Sequence, residues 1–122
     1  MDKKKSILLI DDDNDVREFL NIFLEDKGFD VIEAENGRKA KAIIDGKKPD
    51  LIISDLLLPG EHGLEVIKYI KDKYFLPVIA ISGIYDEAEI KKDIEEMYID
   101  GFLKKPIDAI ALTALINKIL NT

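Results

Sequence analysis

The feature that most constrains the fold of this chain is a regular alternation of short apolar runs with amphipathic helical patterns. The runs are Ile7 to Ile10, Val31-Ile32, Leu51 to Ile53, Val78 to Ile81 and Phe102-Leu103, each bounded by Asp, Gly, Pro or Lys. Runs this short and rich in Ile and Val suit strands covered on both faces, as in a parallel sheet. Between the first two, Val16, Phe19, Leu20, Phe23 and Leu24 recur at i, i+3, i+4, i+7 and i+8, which predicts an amphipathic helix. Asn14 or Asp15 can cap its start and Gly28 can end it. A second helix is expected from about Asn36 to Asp45, burying Ala40, Ile43 and Ile44, and a third carries Leu64, Ile67 and Ile70. A fourth, roughly Asp86 to Met97, is mostly Asp, Glu and Lys and is expected to be the least buried. A fifth, from about Ile107 to Leu120, is the most apolar. Strand followed by helix, five times over, implies an α/β domain spanning residues 1–122: a five-stranded parallel sheet with helices on both faces and right-handed crossovers.

Composition narrows the chemistry. The 122 residues fit one compact domain, and 18 Lys+Arg against 25 Asp+Glu give a net charge of -7, which argues against a nucleic-acid binder. There is no Cys, so disulfides and thiolate chemistry are excluded, and the single His, His62, rules out a two-His site. No apolar run approaches the roughly 20 residues of a membrane span. The start, Met1-Asp2-Lys3-Lys4-Lys5-Ser6, has the charge of a signal-peptide n-region, but only Ile7 to Ile10 follow before three aspartates. The chain therefore reads as soluble and cytoplasmic, with no membrane insertion.

In sheets of this kind ligands bind outside the carboxyl ends of the strands. There the first run ends in Asp11-Asp12-Asp13, the third in Ser54-Asp55, the fourth in Ser82-Gly83 and the fifth in Lys104-Lys105-Pro106. The second ends in Glu33-Ala34-Glu35, to which no role is assigned. Central strands would bring several carboxylates together, and two such charges 4 Å apart repel by about 4 kcal/mol at an effective dielectric of about 20. A shared proton, a cation or a metal relieves this. All-oxygen ligands select a hard divalent ion, and Mg²⁺ is commonly held by one or two carboxylates plus phosphate and water. Adding the Lys105 ammonium and the Ser82 hydroxyl makes a site for a phosphoryl group, for which an Asp can be the acceptor.

Four segments in order resemble the response-regulator receiver family, and the likeness covers essentially the whole chain. They are Ile7 to Asp13, the first strand with its acidic pair; Pro49 to Gly60, the phosphoacceptor strand and loop; Pro77 to Gly83, the fourth strand with its hydroxyl; and Phe102 to Pro106, the Lys-Pro element. The resemblance implies a flavodoxin-like (βα)5 fold with strand order 2-1-3-4-5. It implies that Asp55 is the phosphoacceptor and that Asp11 and Asp12 hold Mg²⁺, with Asp12 and Asp55 favoured as direct ligands and the Leu57 backbone carbonyl completing the set. Ser82 should donate to a phosphoryl oxygen, Lys105 should pair with that group or with Asp55, and Phe102 matches an aromatic that turns inward in the active state. The implied partners are a histidine kinase or histidine phosphotransfer protein and a downstream effector. The effector, or a weak dimer, would use the face of the fourth helix, fifth strand and fifth helix. Such a domain catalyses its own modification without acting as an enzyme on an external pool. Apolar Leu57 and Ile84 beside the acceptor are expected to hinder water and prolong the phosphate.

The chain departs from the family pattern at three places. His62 stands where Asp usually precedes the loop glycine, here Gly63; Met97-Tyr98-Ile99 replaces a small triplet, usually Ala-Gly-Ala; and Ser82 replaces the commoner Thr. His62 reads as an exposed loop residue, Asp13 and Asp15 as helix-start residues, and Leu56-Leu57-Leu58 as packing the loop. An EF-hand is rejected because Val16 and Ile22 occupy the positions that need Gly and Glu. A flavin site is disfavoured because Asp11-Asp12-Asp13 would repel its phosphate. An aspartate-based phosphohydrolase would need more chain for its substrate. The remaining alternative is a receiver-like interaction module that is never phosphorylated. Output is open between a stand-alone receiver and one belonging to a longer chain.

Overall fold

Each of the five apolar runs forms a strand of one parallel sheet: β1 (Ser6–Ile10), β2 (Asp30–Ala34), β3 (Leu51–Asp55), β4 (Val78–Ser82) and β5 (Gly101–Lys104), in the order β2-β1-β3-β4-β5. The computed structural model describes residues 4–58 and 60–120; Met1 to Lys3 of the charged start, Pro59 of the phosphoacceptor-strand motif and Thr122 lie outside the described residues. The helices are α1 (Asn14–Asp26), α2 (Gly37–Gly46), α3 (Gly63–Tyr74), α4 (Lys91–Met97) and α5 (Ala109–Leu120).

Apart from Ser6 at the start of β1 and the polar carboxyl ends of β3 and β4, the central strands are apolar because both of their faces are covered. Odd positions Ile7, Leu9, Leu51, Ile53, Ile79 and Ile81 pack with Leu20 and Leu24 of α1 and with Leu112 and Ile116 of α5. Even positions Leu8, Ile10, Ile52 and Val78 pack with Ala40 and Ile44 of α2 and Val66, Ile67 and Ile70 of α3. The period of two along each strand thus sorts one short run into two cores.

Several boundaries differ from expectation. The α1 cap is Asp13, not Asn14 or Asp15: its carboxylate accepts from the Asp15 and Val16 N–H groups at 2.9 and 3.4 Å, satisfying first-turn donors. The fourth helix does not run unbroken from Asp86. Glu87–Ile90 winds as a 3₁₀ turn, with the Asp86 N–H donating to Glu89 Oε1 at 2.9 Å, before α4 begins at Lys91. As expected, Lys91, Lys92, Glu95 and Glu96 are exposed. α5 starts at Ala109, because Asp108 Oδ1 caps it by accepting from Ile110 N–H at 2.9 Å; Ile107 continues the apolar pattern outside the helix. The segment after β3 is a two-residue antiparallel ribbon, Leu57–Leu58 against Glu61–His62. Its pleat buries Leu58 while leaving Leu57 exposed, so the three leucines do not all pack the loop.

Three helices close through positive φ. α1 ends in a Schellman motif: Gly28, at φ 96°, donates to Glu25 O and Phe29 to Leu24 O, at 3.0 and 3.1 Å. α4 repeats that pattern with Tyr98, which donates to Glu95 O, while Ile99 donates to Ile94 O. α3 ends on Phe75, which donates to Lys71 O. Phe75 and Tyr98 both sit at φ 56°, a left-handed conformation that disfavours a residue with a Cβ by about 1–2 kcal/mol.

Candidate functional site

Parallel register builds the site. Ile10 lies beside Ser54, Asp55 beside Ile81, and Ser82 beside Lys104, so the residues following β1, ending β3 and β4, and following β5 meet at one edge. Asp11 and Asp55 are almost completely buried there, as is Ser82, while Asp12 is exposed. One carboxylate oxygen from each of Asp11, Asp12 and Asp55 lies within 4.8 Å of the others. The Lys105 ammonium stands 2.8 Å from Asp11 Oδ2 and 2.8 Å from Asp55 Oδ2, and is aligned to hydrogen-bond only the latter. Asp55 Oδ1 accepts from the Leu57 N–H at 3.1 Å.

Each element holds its group in place by backbone bonds. The Lys105 N–H donates to Ser82 O at 2.8 Å, continuing the β4–β5 ladder past its last pair. Ser82 Oγ accepts from Ile84 N–H at 3.1 Å and Tyr85 N–H at 2.9 Å. With both lone pairs of the hydroxyl engaged, its proton remains free to donate. Asp11 Oδ1 accepts from Asp13 N–H at 2.9 Å. The N-terminus of α3 lies against Asp55 from the other side. A Cβ on Gly63 would be 2.5 Å from the Asp55 carbonyl oxygen, and the Gly63 N–H donates to Leu56 O at 3.0 Å.

Burial pushes the Asp11 carboxyl above its ordinary range, against the pull of the nearby Lys105 ammonium and the hydrogen bond from the Asp13 N–H. Burial also works against the Lys105 ammonium, but its contacts with Asp11 and Asp55 outweigh it and raise the lysine. The residues present fit a hard divalent cation. Three carboxylates face one ammonium, which leaves two negative charges when all are ionised, and Asp11 Oδ2 is buried without a hydrogen-bond partner. Oxygen-only donors suit Mg²⁺, and Asp11, Asp12 and Asp55 are the residues that could hold it.

The structure therefore brings Asp11, Asp12, Asp55, Ser82 and Lys105 together. Leu57 and Ile84 flank the site and are exposed. Phe102 is half-buried on β5, paired with Ala80 and packed against the core on the α3 side. His62 is exposed as expected, yet it also caps α3, its Nδ1 accepting from Leu64 N–H at 3.3 Å. Sequence reasoning missed Arg17, which donates to Asp11 O at 2.6 Å and to Glu33 Oε1 at 3.1 Å. Glu33 also accepts from Asn21 at 2.6 Å, which gives the unassigned end of β2 a role in locking β2 to α1. Helical periodicity marks the apolar face of α1, so its polar side carried no signal for Arg17.

The family model described as "Response regulator receiver domain" matches residues 7–117. The chain is 39% identical over 103 residues to the cyclic di-GMP phosphodiesterase of Thermotoga maritima, covering 84% of this chain and 27% of that protein. It is 34% identical over 118 residues to the phosphate regulon transcriptional regulatory protein PhoB of Pseudomonas aeruginosa, covering 95% of this chain and 52% of that protein. The chain thus spans about half, or less, of these curated relatives. Among solved structures, a two-component response regulator from Clostridium difficile matches with TM-score 0.90 at 30% identity, covering 97% of each chain. The chemotaxis response regulator CheY4 of Vibrio cholerae matches with TM-score 0.87 at 25% identity, covering 96% of this chain and 99% of that one.

Proposed function

The chain belongs to the response regulator receiver domain family, and from that premise we propose that Asp55 takes a phosphoryl group from a phosphohistidine of a histidine kinase or phosphotransfer protein. A carboxylate oxygen of Asp55 attacks phosphorus, the P–N bond breaks, and its electron pair returns to the imidazole. The observation that carries this reading is the placement of the Lys105 ammonium 2.8 Å from both the Asp11 and Asp55 carboxylates at the carboxyl edge of the sheet. Lys105 offsets charge that builds on the transferring oxygens, and the free proton of Ser82 has a phosphoryl oxygen to meet. Asp11, Asp12 and Asp55, with the Leu57 carbonyl, would hold a Mg²⁺ ion, which when bound would neutralise more of that charge.

Phosphorylation replaces the single charge of the Asp55 carboxylate with about two on the acyl phosphate, so the excess at the site grows from two negative charges to about three. Drawing Ser82 and Lys105 toward the phosphate loosens the Ser82 hold on Ile84 and Tyr85, and Phe102 follows inward. A pre-existing equilibrium then shifts at the α4-β5-α5 face, which an effector reads. Among the described residues no helix is long and apolar enough to cross a membrane.

The test is incorporation of phosphate from a small acyl-phosphate donor. Wild type should label only with Mg²⁺, and Asp55→Asn should not label at all. Equal labelling of the variant overturns the acceptor assignment, and no labelling of wild type favours the unphosphorylated interaction module.

A further inference from the structure

The closures of α1, α3 and α4 pose the same backbone requirement and answer it with Gly28, Phe75 and Tyr98. At α4 the hydrogen bonds are those of α1, so the fold there calls for no side chain at all. Burial does not compensate either aromatic: Phe75 is 83% and Tyr98 80% exposed. Backbone strain and bare apolar surface therefore coincide at two residues, and both border one cavity of about 420 Å³ between the ends of α3 and α4. This cavity adjoins the segments leading into β4 and β5, at the opposite end of the sheet from Asp55.

The α3 wall carries Lys68 and Lys71 against Asp72 and is net basic, while the α4 wall carries Glu96 and is acidic. Lys68 projects from the α3 side and Glu96 from the α4 side, with Met97 between the aromatics and the core. Their present partners are one turn away on the same helix, Asp72 at 2.7 Å and Lys92 at 3.8 Å. Exposed pairs of this kind contribute little and exchange readily. An apolar hollow with one basic and one acidic wall is complementary to itself. A two-fold rotation brings each copy's α3 wall onto the other's α4 wall.

We infer that this hollow is a self-association surface. A second copy of the chain docks across it, with Phe75 and Tyr98 as aromatic anchors and Lys68 of one copy against Glu96 of the other. The Asp55 site stays open in that arrangement, so association and phosphotransfer are compatible.

Sedimentation equilibrium of the purified chain, over a concentration series reaching the millimolar range, tests this. Wild type should form dimers. Phe75→Gly and Tyr98→Gly should each weaken the dimer at least about tenfold, while the melting temperature holds or rises because glycine accepts the positive φ. Lys68→Glu and Glu96→Lys should each fail to pair with themselves, yet a mixture of the two should associate, since every cross-axis contact is then attractive. A wild type that stays monomeric throughout overturns the inference and leaves the surface to another occupant. Glycine variants that dimerise like wild type, or a charge-swap mixture no better than its components, overturn it equally.

Discussion

Lys105 Nζ lies 2.8 Å from Asp55 Oδ2 and equally far from Asp11 Oδ2, so a single ammonium bridges two buried carboxylates, one ending β3 and one just after β1. Lys105→Ala removes that bridge. In EDTA the fold should lose about 1–3 kcal/mol, because the acids are left facing each other. Mg²⁺ should recover most of the loss. The variant should still bind Mg²⁺, but phosphorylation should no longer shift the NMR resonances of Phe102. Equal destabilisation with and without Mg²⁺, or an unchanged response of Phe102, would contradict this role.

Asp11 makes metal-free stability depend on pH. Burial raises its carboxyl above the ordinary value of 3.8. The stability associated with its protonated form is fully present below that value and is lost as pH rises through the folded value. Urea unfolding in EDTA, compared across pH, should show this component in wild type and not in Asp11→Asn. The conservative amide keeps the acceptor for the Asp13 N–H. Parallel pH profiles for the two proteins would refute the assignment.

His62 caps α3 through a neutral ring nitrogen at a helix N-terminus, where a carboxylate also gains from the dipole. His62→Asp should stabilise the fold by about 0.5–1 kcal/mol at neutral pH, and His62→Ala should weaken it. Denaturant midpoints measure both, and an aspartate variant no more stable than wild type would exclude the cap as the dominant role.

Leu57 and Ile84 flank the acceptor with exposed apolar surface, 55% and 59% accessible. Replacing both with Asn should admit water and shorten the aspartyl phosphate lifetime on the order of tenfold, about 1.4 kcal/mol in the barrier. Folding stability should change by only about 0.5 kcal/mol or less at such exposed positions. Loss of label is followed after removing the donor. A wild-type lifetime of seconds would count against the shielding argument.

Strands such as Ile7 to Ile10 were legible because burial on both faces writes an unbroken apolar run. Asp11, Asp12, Asp55, Ser82 and Lys105 were legible because strand ends in a parallel sheet converge and because the four motifs occur in order. Features decided by geometry between distant segments were not. Glu33 finds Arg17 and Asn21 only once β2 lies against α1. The Leu57–His62 ribbon is too short for any periodicity. Asp13, Asn14 and Asp15 are all good caps, and only the path out of β1 selects Asp13. The left-handed closures at Phe75 and Tyr98 run against residue preference, so no propensity argument finds them.

The contact between Gly63 and the Asp55 carbonyl has a practical corollary for anyone redesigning this switch. Even one added methyl at position 63 would collide with the main chain carrying the acceptor, so the floor of the pocket is closed to engineering. Metal preference and donor selectivity have to be tuned from the rim, at residues such as Leu57, Ile84 and Asp12, where side chains can change length and polarity without displacing Asp55.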